Sequence, residues 1–153
     1  MTAAPDVAQS RPVERLIEDG LFRLDAGGQP RLIGSRCRGC RAVFAGRRAL
    51  CLSCFGRQLE EALLGPGGTV HSFTTVHQQS RNSLLEAPYT IVEVLLPEGV
   101  IMAAPLVECM PAEVAIGMAV ETRALRFTEP SGDVTVSLAF VPARGKGGKA
   151  HQT

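Results

Sequence analysis

Cys37-Arg38-Gly39-Cys40 and Cys51-Leu52-Ser53-Cys54 stand ten residues apart, a C-x2-C-x10-C-x2-C pattern. Two residues between cysteines allow a tight turn that aims both sulfurs at one ion, and the ten-residue excursion lets the second pair complete a tetrahedron. Four thiolates leave no open coordination position, so Cys37, Cys40, Cys51 and Cys54 read as ligands of a structural metal that does not activate water. The ligand set by itself does not choose between zinc and iron. Unrelated cysteines or redox pairs are the alternative, and the matched spacing within one short window argues against them. Metal binding to such small units carries an apparent ~10–16 kcal/mol, enough to fold a segment with almost no core of its own. Glycine commonly follows the second cysteine of such a turn, whereas Arg41 and Phe55 stand there in this chain.

Around the cysteines the charge is strongly segregated. Seven arginines (Arg31, Arg36, Arg38, Arg41, Arg47, Arg48, Arg57) and no acid lie between Ala26 and Leu59. From Glu60 to Pro142, Arg81, Arg123 and Arg126 face ten acids, so the electrostatic character reverses near residue 60 and marks a module boundary.

After the break Leu64-Gly65-Pro66-Gly67-Gly68, read as a linker because it lacks the lysine and Ser/Thr of a phosphate loop, nearly every segment has strand character. The expected strands are Thr69 to Gln78, Tyr89 to Leu96, Val100 to Glu108, Ala119 to Thr128 and Val134 to Val141. Pro97-Glu98-Gly99 and Glu129-Pro130-Ser131-Gly132 are turns, and Pro111 to Gly117 has room for a helical turn. Five short antiparallel strands in this order fit a small OB-type barrel, with the polar loop Gln79 to Pro88 at its mouth; pattern alone leaves a sandwich fragment open.

On the other side, Val13, Leu16, Ile17, Leu21 and Leu24 recur at helical spacing, predicting a helical segment within residues 12–30 that ends in the turn Ala26-Gly27-Gly28-Gln29-Pro30. The expected organisation is a tail at 1–11, a helical segment at 12–30, a metal ribbon at 31–63, a barrel at 64–143 and a basic tail at 144–153. Mainly β structure results.

The 153 residues, 45% apolar and 20% charged, suffice for one domain or two small ones and exclude large catalytic folds. No apolar run approaches the roughly 18 residues that span a bilayer, and residues 1–10 lack a charged start followed by an apolar stretch. Five cysteines, four of them in two close pairs, suit a reducing compartment, so a cytoplasmic location is expected.

Two further features invite a chemical reading. Cys109, placed in an expected strand, has no nearby activating base and reads as core packing rather than a nucleophile. His71 and His77 share the parity of Phe73 and Thr75, which places both on one strand face, open to a ligand or partner; exposed or hydrogen-bonded histidines are the ordinary alternative.

The chain resembles bacterial and archaeal proteins that join a rubredoxin-like zinc ribbon to an acyl-CoA-associated OB fold. The likeness rests on the N-terminal stretch, the four cysteines, Gly68-Thr69-Val70-His71-Ser72-Phe73-Thr74-Thr75-Val76-His77, Ala87-Pro88-Tyr89-Thr90-Ile91-Val92, Glu98-Gly99-Val100 and Ile116-Gly117-Met118-Ala119-Val120. It departs at Phe44-Ala45-Gly46-Arg47-Arg48, where the family tends to carry prolines before a basic residue. The resemblance implies a small non-catalytic subunit that binds a thiolase-like or lipid-transfer-like enzyme and helps to form its CoA or acyl-CoA site, in thiolase, retro-aldolase, acyl-transfer or β-oxidation chemistry. Zinc is the implied metal, and acyl-CoA a ligand shared with the partner.

Arginine's forked donors suit the phosphates of CoA, so Arg41, Arg47 and Arg48 beside the cysteines are candidate CoA or partner contacts, with a solvated basic loop as the alternative; His71 and His77 are further candidates. A thiolytic nucleophile with its acid–base groups needs a larger fold, so it belongs to the partner. Two other functions fit the architecture: a nucleic-acid-binding ribbon with OB module, and a scaffold without any ligand. An acidic barrel without tryptophan, whose only aromatics are Phe73, Tyr89, Phe127 and Phe140, argues against the first.

Overall fold

Ten strands and one 3-10 turn make up the regular structure of residues 13–144, the part of the chain that the computed structural model describes. In chain order the strands are β1 (Glu14–Leu16), β2 (Phe22–Leu24), β3 (Pro30–Cys37), β4 (Val43–Ala45), β5 (Leu59–Leu63), β6 (Gly67–Val76), β7 (Tyr89–Leu95), β8 (Ile101–Leu106), β9 (Ala119–Thr128) and β10 (Val134–Pro142), with the 3-10 turn at Pro111–Glu113 before β9. The expected mainly β character and the five C-terminal strands are present. The expected tails lie almost entirely outside the described residues.

The inward faces of strands β6 to β10 supply the barrel core, and β10 is buried without a break from Val136 to Val141. In β7, Thr90, Val92 and Val94 are buried while Ile91, Glu93 and Leu95 point away, the period of two that a half-buried strand requires. Pairing runs β6-β7-β8-β10-β9 and back to β6, with β8 and β10 parallel and the other neighbours antiparallel, which is the closed order of an OB barrel. The contact of β8 with β10 is the weak seam, a single register pair between Leu106 and Phe140.

β3 is the spine of the ribbon. It pairs antiparallel with β2, β4 and β5, with β4 and β5 along opposite edges of Gly34 to Arg36. Phe22, Leu32 and Leu64 from this unit join Val70, Val94, Leu138 and Phe140 of the barrel in one apolar cluster, so the ribbon's base is bonded to the barrel by a shared core.

The helix expected within 12–30 is absent among the described residues. Gly20 takes φ +91°, outside helical geometry, and the segment divides into β1, which adds parallel to β10, and β2, which pairs with β3. Leu16, Leu21 and Leu24 pack on the core, whereas Val13 and Ile17 are each half exposed, so the helical spacing does not correspond to one buried face. An unpaired edge of β10, with obligatory backbone donors and acceptors, outweighs the weak local preference of a short apolar segment.

The expected linker is also not one. Gly67 and Gly68 open β6, and a Cβ on either would overlap the carbonyl oxygens of Val120 and Leu95 respectively. Glycine is required there because β6 is pressed between β9 and β7.

Candidate metal centre and the basic face around it

Each cysteine pair sits in a turn that repeats the same backbone bonds. Arg41 N–H donates to Cys37 O at 2.9 Å and Cys37 N–H to Ala42 O at 2.9 Å; in the second turn Phe55 N–H donates to Cys51 O at 3.0 Å and Cys51 N–H to Gly56 O at 2.8 Å. Closing the turn this way forces the residue after the second cysteine into the left-handed region, with φ +64° at Arg41 and +60° at Phe55. The absence of glycine, visible in the sequence, therefore leaves two strained side-chain-bearing positions.

The four sulfurs converge, all within 4.8 Å of one another, with Cys37 and Cys54 at 3.6 Å and Cys40 and Cys51 at 3.5 Å. A disulfide needs about 2.05 Å, so these are thiols around a common centre. Tetrahedral zinc with bonds of about 2.3 Å requires sulfurs about 3.8 Å apart, which the cluster matches. The donor set and its spacing fit zinc, which would tie the two turns together and supply no open position for chemistry.

The backbone prepares this charge. Cys51 Sγ accepts the N–H groups of Ser53 at 3.4 Å and Cys54 at 3.5 Å. The Cys54 N–H, against some burial, helps draw the Cys51 thiol down to about 6, and the Cys40 N–H lowers Cys37 in the same way. Cys54 moves oppositely: the Gly56 N–H lowers it, but the sulfurs of Cys37, Cys40 and Cys51 push it up to about 11. Four sulfurs this close cannot all carry charge without a cation.

The arginines are less uniform than the sequence indicated. Glu60 and Glu61 in β5 lie opposite Arg36 and Ser35 of β3, and they pair with Arg38 (3.1 Å), Arg23 (2.9 Å) and Arg47 (3.3 Å). The two acids at the start of the acidic half thus fold back onto the basic one. Arg41 and Arg48 make no ion pair among the described residues, and a cleft of about 350 Å³ is lined by Arg36, Cys37, Arg38, Arg41 and Glu60. Arg36 near the end of β3 and Arg38 just past it become candidates only because the fold gathers them with Arg41 around this cleft. Buried Ser35 holds the Arg47–Arg48 segment, donating to Gly46 O at 2.8 Å and accepting Arg48 N–H at 2.9 Å.

The two histidines are not brought together with this cluster. A bulge between Val70 and Ser72 places His71 as an extra residue, which resets the alternation on which the shared face depended, and His77 falls just past the end of β6. Both are exposed. Cys109 lies in a bend after β8 rather than in a strand, half-buried against the core, and burial followed by the Glu113 charge pushes its thiol up, away from nucleophilic activation.

On the barrel, a groove of about 230 Å³ is lined by Ile17, Leu84, Leu85, Tyr89, Leu125 and Phe127 among others, with Asn82 and Ser83 of the mouth loop and no charged side chain. No helix among the described residues is long and apolar enough to cross a membrane.

Comparison with known proteins connects these parts. Residues 24–60 match the family model described as ChsH2, rubredoxin-like zinc ribbon domain, and residues 61–125 match ChsH2, C-terminal OB-fold domain. A DUF35 domain-containing scaffold protein of Methanocaldococcus jannaschii is 33% identical over 110 residues, 71% of this chain and 78% of that protein. Its counterpart in Pyrococcus furiosus is 32% identical over 114 residues, covering 73% and 83%. A probable enoyl-CoA hydratase alpha subunit of Thermomonospora curvata is 28% identical over 133 residues, 87% of this chain but only 40% of that one. Among solved structures, a chain of the Ltp2-ChsH2(DUF35) aldolase superposes with a TM-score of 0.62 and 26% identity, covering 74% of this chain and 85% of that chain. With its four-cysteine ribbon fused to an OB barrel and these relatives, the chain belongs to the DUF35 family of scaffold proteins, of the ChsH2 type.

Proposed function

We propose that the chain is a non-catalytic subunit of the cytoplasm that docks on a thiolase-like or lipid-transfer-like enzyme and helps to complete that enzyme's CoA or acyl-CoA site. The observation that carries this reading is the likeness to a chain of the Ltp2-ChsH2(DUF35) aldolase, whose name joins two components. The relatives described as scaffold proteins point the same way, and the enoyl-CoA hydratase subunit supports acyl-CoA chemistry. Zinc on Cys37, Cys40, Cys51 and Cys54 holds the ribbon as a rigid platform. Arg41 and Arg48, with Arg47 bridged to Glu61, offer forked donors to CoA phosphates or to partner carboxylates, while exposed His71 at the β6 bulge and His77 just past that strand are separate contacts.

The elevated Cys109 thiol supports a partner-borne nucleophile. The uncharged groove on the barrel speaks against a track for single-stranded nucleic acid, which needs cations beside its stacking aromatics.

The test is affinity purification of the tagged chain from its native host, followed by mass spectrometry, metal analysis and calorimetric titration with CoA esters of the chain alone and of the complex. A thiolase-like partner, about one zinc per chain and CoA binding that needs the complex are expected. Turnover of an acyl thioester by the isolated chain refutes the reading, and a partner without CoA dependence leaves a ligand-free scaffold.

A further inference from the structure

The second cysteine turn exposes more apolar surface than its own packing requires. Leu50, Leu52 and Phe55 are 37%, 55% and 71% exposed; Leu52 and Phe55 lie in the tight loop that the Cys51–Gly56 and Phe55–Cys51 backbone bonds close, and Leu50 immediately precedes it. Phe55 is doubly unfavourable: an exposed aromatic ring, held at a left-handed position where glycine would be free of strain. In the equivalent place of the first turn, an exposed arginine, Arg41, carries the same strain.

Cations flank this apolar tip along the chain. Arg47, Arg48 and Arg57 lie within three residues of it in the chain, Arg41 occupies the matching site across the sulfur cluster, and only Arg47 has an acidic partner among the described residues. A free surface of this kind gains nothing from an aromatic. A partner that offers an apolar pocket rimmed with carboxylates gains both from the ring and from the unpaired guanidiniums.

Building on the functional reading above, we propose that the cysteine turns form the docking tip of the chain. Phe55 is the plug, Leu50 and Leu52 are its apolar collar, and Arg41, Arg48 and Arg57 are the cations that meet an acid-rimmed apolar pocket on the catalytic subunit. Metal stapling makes the tip rigid before contact, so little conformational entropy is lost on docking.

Strain and docking predict opposite effects of one substitution. Phe55→Gly in the zinc-loaded chain leaves the melting temperature unchanged or raised, while its affinity for the thiolase-like subunit that copurifies with the wild-type chain falls by about tenfold or more. Arg41→Gly behaves alike with a smaller loss. A benzophenone analogue of phenylalanine at position 55 crosslinks to a peptide of that subunit whose neighbourhood contains Asp or Glu. Unchanged affinity of Phe55→Gly, or a crosslink to a second copy of this chain, overturns the docking tip and leaves the functional reading intact. A wild-type chain that binds no thiolase-like subunit overturns both.

Discussion

The Glu18 carboxylate accepts the backbone N–H of Leu138 at 3.3 Å and, through its other oxygen, the Ser137 hydroxyl at 3.2 Å. This contact fills a gap along β10. β1 pairs with Val134 to Val136, Ile17 N–H reaches Val136 O at 3.0 Å, and β8 takes over only at Phe140. A side chain thus supplies the acceptor that no strand provides at the barrel seam. Glu18→Ala leaves that donor without a protein acceptor and is expected to lower stability by about 1–3 kcal/mol in denaturant titration. Glu18→Gln, which keeps an acceptor oxygen, should lose less.

Gly68→Ala tests the pressed geometry of β6. The added methyl meets the Leu95 carbonyl, a backbone atom that cannot rotate away, so β6 and β7 must separate. A loss of about 2 kcal/mol or more is expected from calorimetry on the zinc-loaded chain, whereas Gly99→Ala, whose Cβ meets nothing within 4 Å, bears only the left-handed penalty of about 1 kcal/mol.

Metal affinity should rise with pH over a wide range. Protons compete for thiolates, and the folded chain spreads its thiols from about 6 at Cys51 to about 11 at Cys54. Acidification past the lower value protonates even the readiest ligand, so competition with a chromophoric chelator should show zinc released as pH falls, with proton release on zinc uptake at neutral pH. Cys51→Ser should abolish stoichiometric zinc and collapse the turns, read as loss of amide protection over 37–56, while the barrel strands stay protected.

Asp25 sets an acid-side dependence of its own. The Gln29 N–H, then the Gly27 N–H and Arg31, hold its carboxyl below the usual value of 3.8. A depressed folded value means that its contribution is complete above the unfolded value and disappears as pH falls through the folded one. Stability measured from about pH 5 down to about pH 2 should therefore decline less steeply in Asp25→Asn than in the wild-type chain.

What could be read in the amino-acid order was whatever depends on short spacing. The cysteine pairs, the strand character of the five C-terminal segments, and the turns at Pro97-Glu98-Gly99 and Glu129 to Gly132 are each decided within a few residues. The tertiary structure decided the rest through partners far along the chain. Residues 14–16 became a strand because Val134 to Val136 offered an open edge 120 residues away. The register of β6 against β7 inserted a bulge that undid the parity of His71 and His77. β5 carried Glu60 and Glu61 back onto Arg38 and Arg47, which the linear charge count had left unopposed. Local stereochemistry carries its information in adjacent residues. Edge pairing, bulges and ion pairs form only between surfaces that folding has brought together, and there the backbone's demand for partners outweighs any short-range preference.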